Sequence, residues 1–228
     1  RRCLDLLDKA RGWGTELNVS ALVLGLLREM ESMGVERNAR HYRHALHACC
    51  EARGGDWQAG VGLLREMVAT GVAVDGFSYG RAMLACRRAG QWRTAVDLLR
   101  EMQTVSGLEP SPFCYDTAIA AGCRGGGGGD GGGGQWRVAL ELLREQAKVS
   151  VPSIISYNCT ISACKKAGRA REAVAILREM KRAGCAPDLI SYNTALSACV
   201  KCRVWEKALL VLREMQWVGS GVQPDTYR

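Results

Sequence analysis

Apolar residues recur along this chain in short stripes spaced for helices, and one stripe repeats. Leu-Leu-Arg-Glu-Met stands intact at Leu26–Met30, Leu63–Met67 and Leu98–Met102. It returns with one change at Leu142–Gln146, Ile176–Met180 and Val211–Met215. The steps between the last residues are 37, 35, 44, 34 and 35 residues. A near-constant period of about 35 predicts a solenoid, in which each unit is a supersecondary hairpin that cannot bury its apolar face alone. The one long step contains a glycine tract, so it reads as the same repeat with an insertion.

Two helices are predicted within each period. Tyr42, Ala45, Leu46, Ala48 and Cys49 recur at intervals of three and four, which marks one helix face. Gly54-Gly55 breaks that helix; a second runs from Trp57 to Ala69 and stops at Gly71. The frame that follows is 39–75, 76–111, 112–153, 154–188 and 189–225, one repeat each. Residues 1–38 read as a degenerate or partial N-terminal repeat, and 226–228 as the start of a truncated further one. In repeat 112–153 the turn is replaced by 125–134, nine glycines and Asp130. With no side chains to bury and maximal backbone entropy to lose, this run is expected to be a disordered loop.

Two positions stay small: Ala48, Ala85, Ala121, Ala163 and Ala198 in the first helices, and Gly60, Ala95, Ala139, Ala173 and Ala208 in the second. Small residues let helices approach, and the Leu-Leu and Met of each second helix are expected to fill the gap between neighbours. The Arg and Glu of the stretch are adjacent, do not face each other, and are expected to be solvated. Trp57, Trp92, Trp136 and Trp205, all near the start of second helices, are read as packing residues. Stacking predicts first helices on one wall and second helices on the other, around a concave groove.

Charge adds a constraint. The net charge of +8 and pI of about 9.0 favour an acidic partner, nucleic acid or an anionic surface. The eleven cysteines follow the repeat rather than a disulfide framework. Cys49, Cys86, Cys164 and Cys199 share one position and read as reduced core residues. Cys199 and Cys202 make only half a zinc site, and the His41, His44, His47 and Cys50 series has no equivalent in other repeats. No metal or cofactor is predicted. The glycine run lacks the Gly-Lys-Ser/Thr and the preceding strand of a phosphate loop. No apolar run of 18 residues exists, so no membrane span is expected. With no paired carboxylates and no nucleophile–base pair in view, catalysis is not predicted.

The run Ile155-Ser-Tyr-Asn-Cys-Thr-Ile-Ser-Ala-Cys-Lys-Lys-Ala-Gly168, continuing through Leu177–Met180 to Ala186-Pro187-Asp188, resembles the pentatricopeptide repeat. Ser191–Leu196 with Gln223-Pro224-Asp225 resembles it as closely, and the likeness extends over roughly 39–225. The tetratricopeptide repeat has a similar period but expects an early Trp and Leu-Gly that are absent here. The fold class expected is all-α: a right-handed superhelical α-solenoid of stacked helix-turn-helix repeats of about 35 residues.

The resemblance implies sequence-specific binding of single-stranded RNA, one base per repeat. In the family, the fifth and last residues of a repeat read the base, the second wedges between bases, and a basic thirteenth meets phosphate. The reading pairs here are Arg43 with Asp75, Gly80 with Ser111, Asp116 with Ser153, Asn158 with Asp188, and Asn193 with Asp225. Asn with Asp resembles a uracil reader, so two adjacent uracils are expected; the first three pairs carry no assignment. The wedge positions hold Arg40, Phe77, Phe113, Ile155 and Ile190. The thirteenth positions hold Glu51, then Arg88, Arg124, Lys166 and Lys201. Four phosphate contacts predict a log–log salt slope of about −3. The implied setting is RNA processing, stability or translation in a mitochondrion or chloroplast, with protein partners in an RNA-processing complex. The competing reading is an α-solenoid scaffold for protein–protein interaction.

Overall fold

A computed structural model describes residues 19–51, 56–124 and 135–217. The glycine insertion, Asp225 and the first half of the N-terminal segment lie outside the described residues. Within them are eleven helices and no strand: α1 Val19–Ser32, α2 Ala39–Glu51, α3 Trp57–Ala69, α4 Gly76–Arg88, α5 Trp92–Thr104, α6 Pro112–Arg124, α7 Gln135–Val149, α8 Ile154–Lys166, α9 Ala170–Arg182, α10 Leu189–Lys201 and α11 Trp205–Trp217. The helices α2, α4, α6, α8 and α10 each begin on the first residue of a repeat in the frame and end on its thirteenth.

The chain divides into two units, 1–121 and 122–228. In the first, α2 packs on α3, on the preceding α1 and on the next first helix α4; α3 packs on α4, and α4 on α5. In the second, α8 packs on α7, α9 and α10, and α10 also on α9 and α11. The pairs α2–α3, α4–α5, α8–α9 and α10–α11 are thus helical hairpins, each stacked on its neighbour within its unit.

The core is the repeated stretch. Leu63, Leu64 and Met67, Leu98, Leu99 and Met102, and Ile176, Leu177 and Met180 are all buried. Full burial of such a side chain stabilises by about 1.5–3 kcal/mol. Gly60 shows why its position is small: a β-carbon there would stand 3.8 Å from Ala85 Cβ. A tyrosine row joins this core. Tyr42, Tyr79, Tyr115, Tyr157 and Tyr192 occupy the fourth position of the five first helices, and all are buried.

Helix ends follow local chemistry. Asp75, Ser153 and Asp188 cap α4, α8 and α10 by accepting the backbone N–H of Ser78, Ser156 and Ser191. Asn38 Oδ1 accepts from the His41 N–H at 3.2 Å, and buried His41 Nδ1 accepts in return from the Asn38 N–H at 3.2 Å. First helices α4 and α8 stop at Gly90 and Gly168, whose positive φ turns the chain; in α10 the same place is held by Arg203 at φ 54.

Three expectations change. The Arg and Glu of the stretch are not simply solvated. Arg178 pairs with Glu214 of the next repeat's stretch at 3.3 Å, and Lys181 joins at 2.7 Å. Glu66 takes the Tyr42 hydroxyl at 3.0 Å and pairs with Arg37. Adjacent residues do not face each other on one helix, but packing supplies partners from the same repeat and from its neighbours. The tryptophans also divide: Trp136 is buried with Arg169 over its ring at 5.3 Å, while Trp205 is exposed. The small row likewise weakens at Ala208, which is half-buried. Cys49, Cys86, Cys164 and Cys199 are buried free thiols, and burial pushes the first three up to about 12.

Candidate nucleic-acid interface

One face of each first helix carries the second, fifth and thirteenth positions of the repeat. Eleven residues at about 100° each amount to three turns plus about 20°, so second and thirteenth lie on one stripe. The fifth is one turn from the second on the neighbouring line. The apolar second-position residues keep much of their surface outside the core. Phe77 is 49% exposed, Phe113 50%, Ile155 61% and Ile190 62%. Arg40, at the same position in α2, is exposed as well.

The last residue of a repeat is the cap of the next first helix. Asp188 caps α10, and its Oδ1 accepts from Ser191 N at 2.8 Å and lies 2.8 Å from Ser191 Oγ. The same oxygen accepts from Asn158 Nδ2 at 3.1 Å. Ser191 Oγ also stands 2.5 Å from Asn158 Oδ1 and accepts from Asp188 N at 3.3 Å. The amide is held at both ends, with nitrogen toward the carboxylate and oxygen toward the hydroxyl. One N–H and one carbonyl lone pair are left for a ligand. Burial alone would raise the Asp188 pKa, but hydrogen bonds from the Ser191 backbone, the Ser191 hydroxyl and Asn158 outweigh it and hold the group below the usual range.

The same arrangement recurs in the first full repeat. Asp75 caps α4, with Oδ1 taking Ser78 N at 2.9 Å and Ser78 Oγ at 2.8 Å. Its Oδ2 pairs with Arg43 Nη2. Burial opposes ionisation here too, and the two Ser78 hydrogen bonds with Arg43 overcome it, so the Asp75 pKa also lies low. Sequence reasoning missed the serines. The signal was present as Asp75-x-x-Ser78, Ser153-x-x-Ser156 and Asp188-x-x-Ser191, the spacing of a capping box.

The other pairs differ. Gly80 has no side chain, and the Phe113 ring lies 3.2 Å from where its β-carbon would be. Phe77, Phe113, Arg81, Leu84, Gly76 and Ser111 line an apolar cleft of about 640 Å³ beside it. Ser153 caps α8, with Ser156 N donating to its Oγ at 3.2 Å, while Asp116 belongs to the other unit. Asn193 is half-buried on α10, and its companion Asp225 lies outside the described residues.

The basic thirteenth residues have structural partners. Lys201 Nζ donates to the Lys166 carbonyl at 2.9 Å, and Lys166 Nζ to the Cys123 carbonyl. Arg88 donates to the Cys50 carbonyl and lies 3.5 Å from Glu51. Each cation therefore sits on the C-terminal carbonyls of the preceding first helix, where the helix dipole is negative. Lys166 and Lys201 stay exposed, so their remaining N–H donors still face solvent. Of Arg124 only the helical backbone position is described. No group of three or more His, Cys, Asp or Glu among the described residues is placed to hold a metal, and no described helix is long and apolar enough to cross a membrane.

Comparison with known proteins agrees with the repeat frame and the all-α fold. A model described as the PPR repeat family matches residues 152–201, and one described as PPR repeat matches 77–105 and 190–220. No curated protein matches. Among solved structures, the chain is similar to pentatricopeptide repeat protein PPR10 in complex with an 18-nt psaJ RNA element, at TM-score 0.66 and 24% identity over 99% of this chain. The structure of PPR10 from maize gives TM-score 0.65 and 24% identity over 98% of this chain. The chain spans 35% and 32% of those two chains, and at this identity the likeness shows the fold.

Proposed function

Because the chain belongs to the pentatricopeptide repeat family, we propose that it binds single-stranded RNA, with bases seated along the exposed face of the first helices. The observation that carries this is the amide of Asn158, fixed by Asp188 and Ser191 yet still offering one donor and one acceptor. A polar group held in one orientation beside exposed apolar side chains suits a base that stacks with its faces and is read at its edge. Uracil is the base assigned to Asn158 with Asp188 and to Asn193 with Asp225, as the family resemblance implies. Arg88 in one unit and Lys166 and Lys201 in the other stand at the thirteenth position of their first helices and supply charge for the phosphates, with Arg124 at the equivalent position. The family setting, RNA metabolism in a mitochondrion or chloroplast, goes with this reading. PPR10, of the same fold, was crystallised with an RNA element.

The test is fluorescence anisotropy with poly-U, poly-A and duplex RNA across a salt series. Tighter binding to poly-U with a slope of about −3 is expected. Equal, weak binding to all three at low salt overturns the proposal and leaves a protein partner as the alternative.

A further inference from the structure

The pair Arg43 and Asp75 occupies the reading positions of its repeat with a chemistry unlike Asn with Asp, and the structure shows what that change does. Asp75 is held as Asp188 is: Oδ1 takes both groups of Ser78, leaving Oδ2 for the fifth residue. The fifth residue is then a guanidinium rather than an amide. Its Nη2 pairs with Asp75, and its Cζ lies 5.9 Å from the centre of the Phe77 ring, two contacts that direct the guanidinium. A cleft of about 370 Å³ opens in front of it, lined by Arg40, Arg43, His44, His47, Asp75 and Phe77.

An amide offers a donor and an acceptor, whereas a guanidinium offers donors only. With one N–H on Asp75, Arg43 has further N–H groups in a fixed fork for a ligand. A base edge that sets two adjacent acceptors against that fork is favoured, and one that sets an N–H against it is repelled. Uracil presents O4 beside N3–H, and adenine presents N7 beside its 6-amino group; cytosine does set O2 beside N3, but its single ring offers less surface than a purine to stack between Arg40 and Phe77. Guanine presents O6 and N7 together, the edge with which arginine makes its commonest specific contact. Arg40 stands at the second position in place of the apolar residue of later repeats, and a guanidinium plane stacks on a base as a ring does.

We infer that the cleft between Arg40 and Phe77 is a guanine site read by Arg43, with Asp75 fixing the reader's orientation. The inference rests on the RNA-binding reading above and extends it from uracil to a purine at a different repeat. Arg43 is the specificity-determining residue, and the ion pair with Asp75 is part of the reader rather than a closed gate.

The experiment measures anisotropy for a series of short uridine-rich RNAs in which one position at a time is replaced by G, C or A. At one position G is expected to bind about tenfold more tightly than U, C or A. Arg43→Gln removes that preference and leaves the preference for uracil elsewhere intact. Arg43→Lys does not restore it, because an ammonium is a point charge without the fork. Arg43 is exposed, and circular dichroism of both variants confirms that the fold is kept. Uracil preference without any position favouring G, or a preference for C at the position sensitive to Arg43, overturns the guanine site while leaving RNA binding in place. Failure of every RNA to bind overturns both.

Discussion

Asn158 Nδ2 donates to Asp188 Oδ1 at 3.1 Å, joining one repeat's first helix to the residue that caps the next. A side chain offered to a ligand is thereby tied to the backbone N–H of Ser191 through a single carboxylate oxygen. The proposed base contact and the helix cap thus depend on one atom, and the two separate by mutation.

Asn158→Ala removes the offered amide but leaves the cap. Affinity for uracil-containing RNA should fall by about 1–3 kcal/mol, with the thermal midpoint nearly unchanged. Asp188→Ala should lower both, with about 1 kcal/mol of stability lost with the N-cap. Anisotropy and thermal denaturation on the two variants separate the effects. Equal losses of stability in both would show that Asn158 serves packing alone.

Stability should decline in two steps as pH falls. Burial and the nearby His44 hold the His41 pKa below its usual value, and its Nδ1 accepts a backbone N–H that a protonated ring cannot accept. The unfolded chain therefore takes up that proton first, and stability drops as pH falls below about 6.5. Asp75 and Asp188 also have lowered pKa values, so their contribution is present above the ordinary Asp range and is lost below about 3.9. Urea midpoints measured against pH check both steps, and His41→Gln should abolish the upper one only.

Lys166 and Lys201 donate to the C-terminal carbonyls of the preceding first helix in the chain alone. Replacing each with Gln should lower stability by about 0.3–1 kcal/mol through the lost charge at a helix C-terminus. The double variant should also bring the salt slope for RNA closer to zero by about 1.4. A slope that stays unchanged beside a lowered urea midpoint would assign both lysines to capping alone.

Gly168 has φ +68, a conformation disfavoured for residues with a β-carbon. Gly168→Ala should destabilise the chain by about 1 kcal/mol although the space around it is ordinary. Arg203 bears the same kind of strain at φ 54, so Arg203→Gly should be neutral or mildly stabilising. Chemical denaturation of both variants checks the contrast.

Much of the architecture was legible in the sequence by itself, because it depends on local rules. The period of Leu-Leu-Arg-Glu-Met marks the second helices, the spacing of Tyr42, Ala45, Leu46 and Cys49 marks a buried face, and Gly71, Gly90 and Gly168 mark stops. Helix periodicity and backbone sterics act within a few residues, so they can be read along the chain. What only the tertiary structure decided concerns partners about one repeat apart. Glu214 found Lys181 and Arg178, Lys201 found the Lys166 carbonyl, and Phe113 settled over Gly80. Asp75 and Asp188 became anchors of Arg43 and Asn158 as well as caps. Such pairings depend on how one hairpin stacks on the next, and local spacing carries no record of that distance.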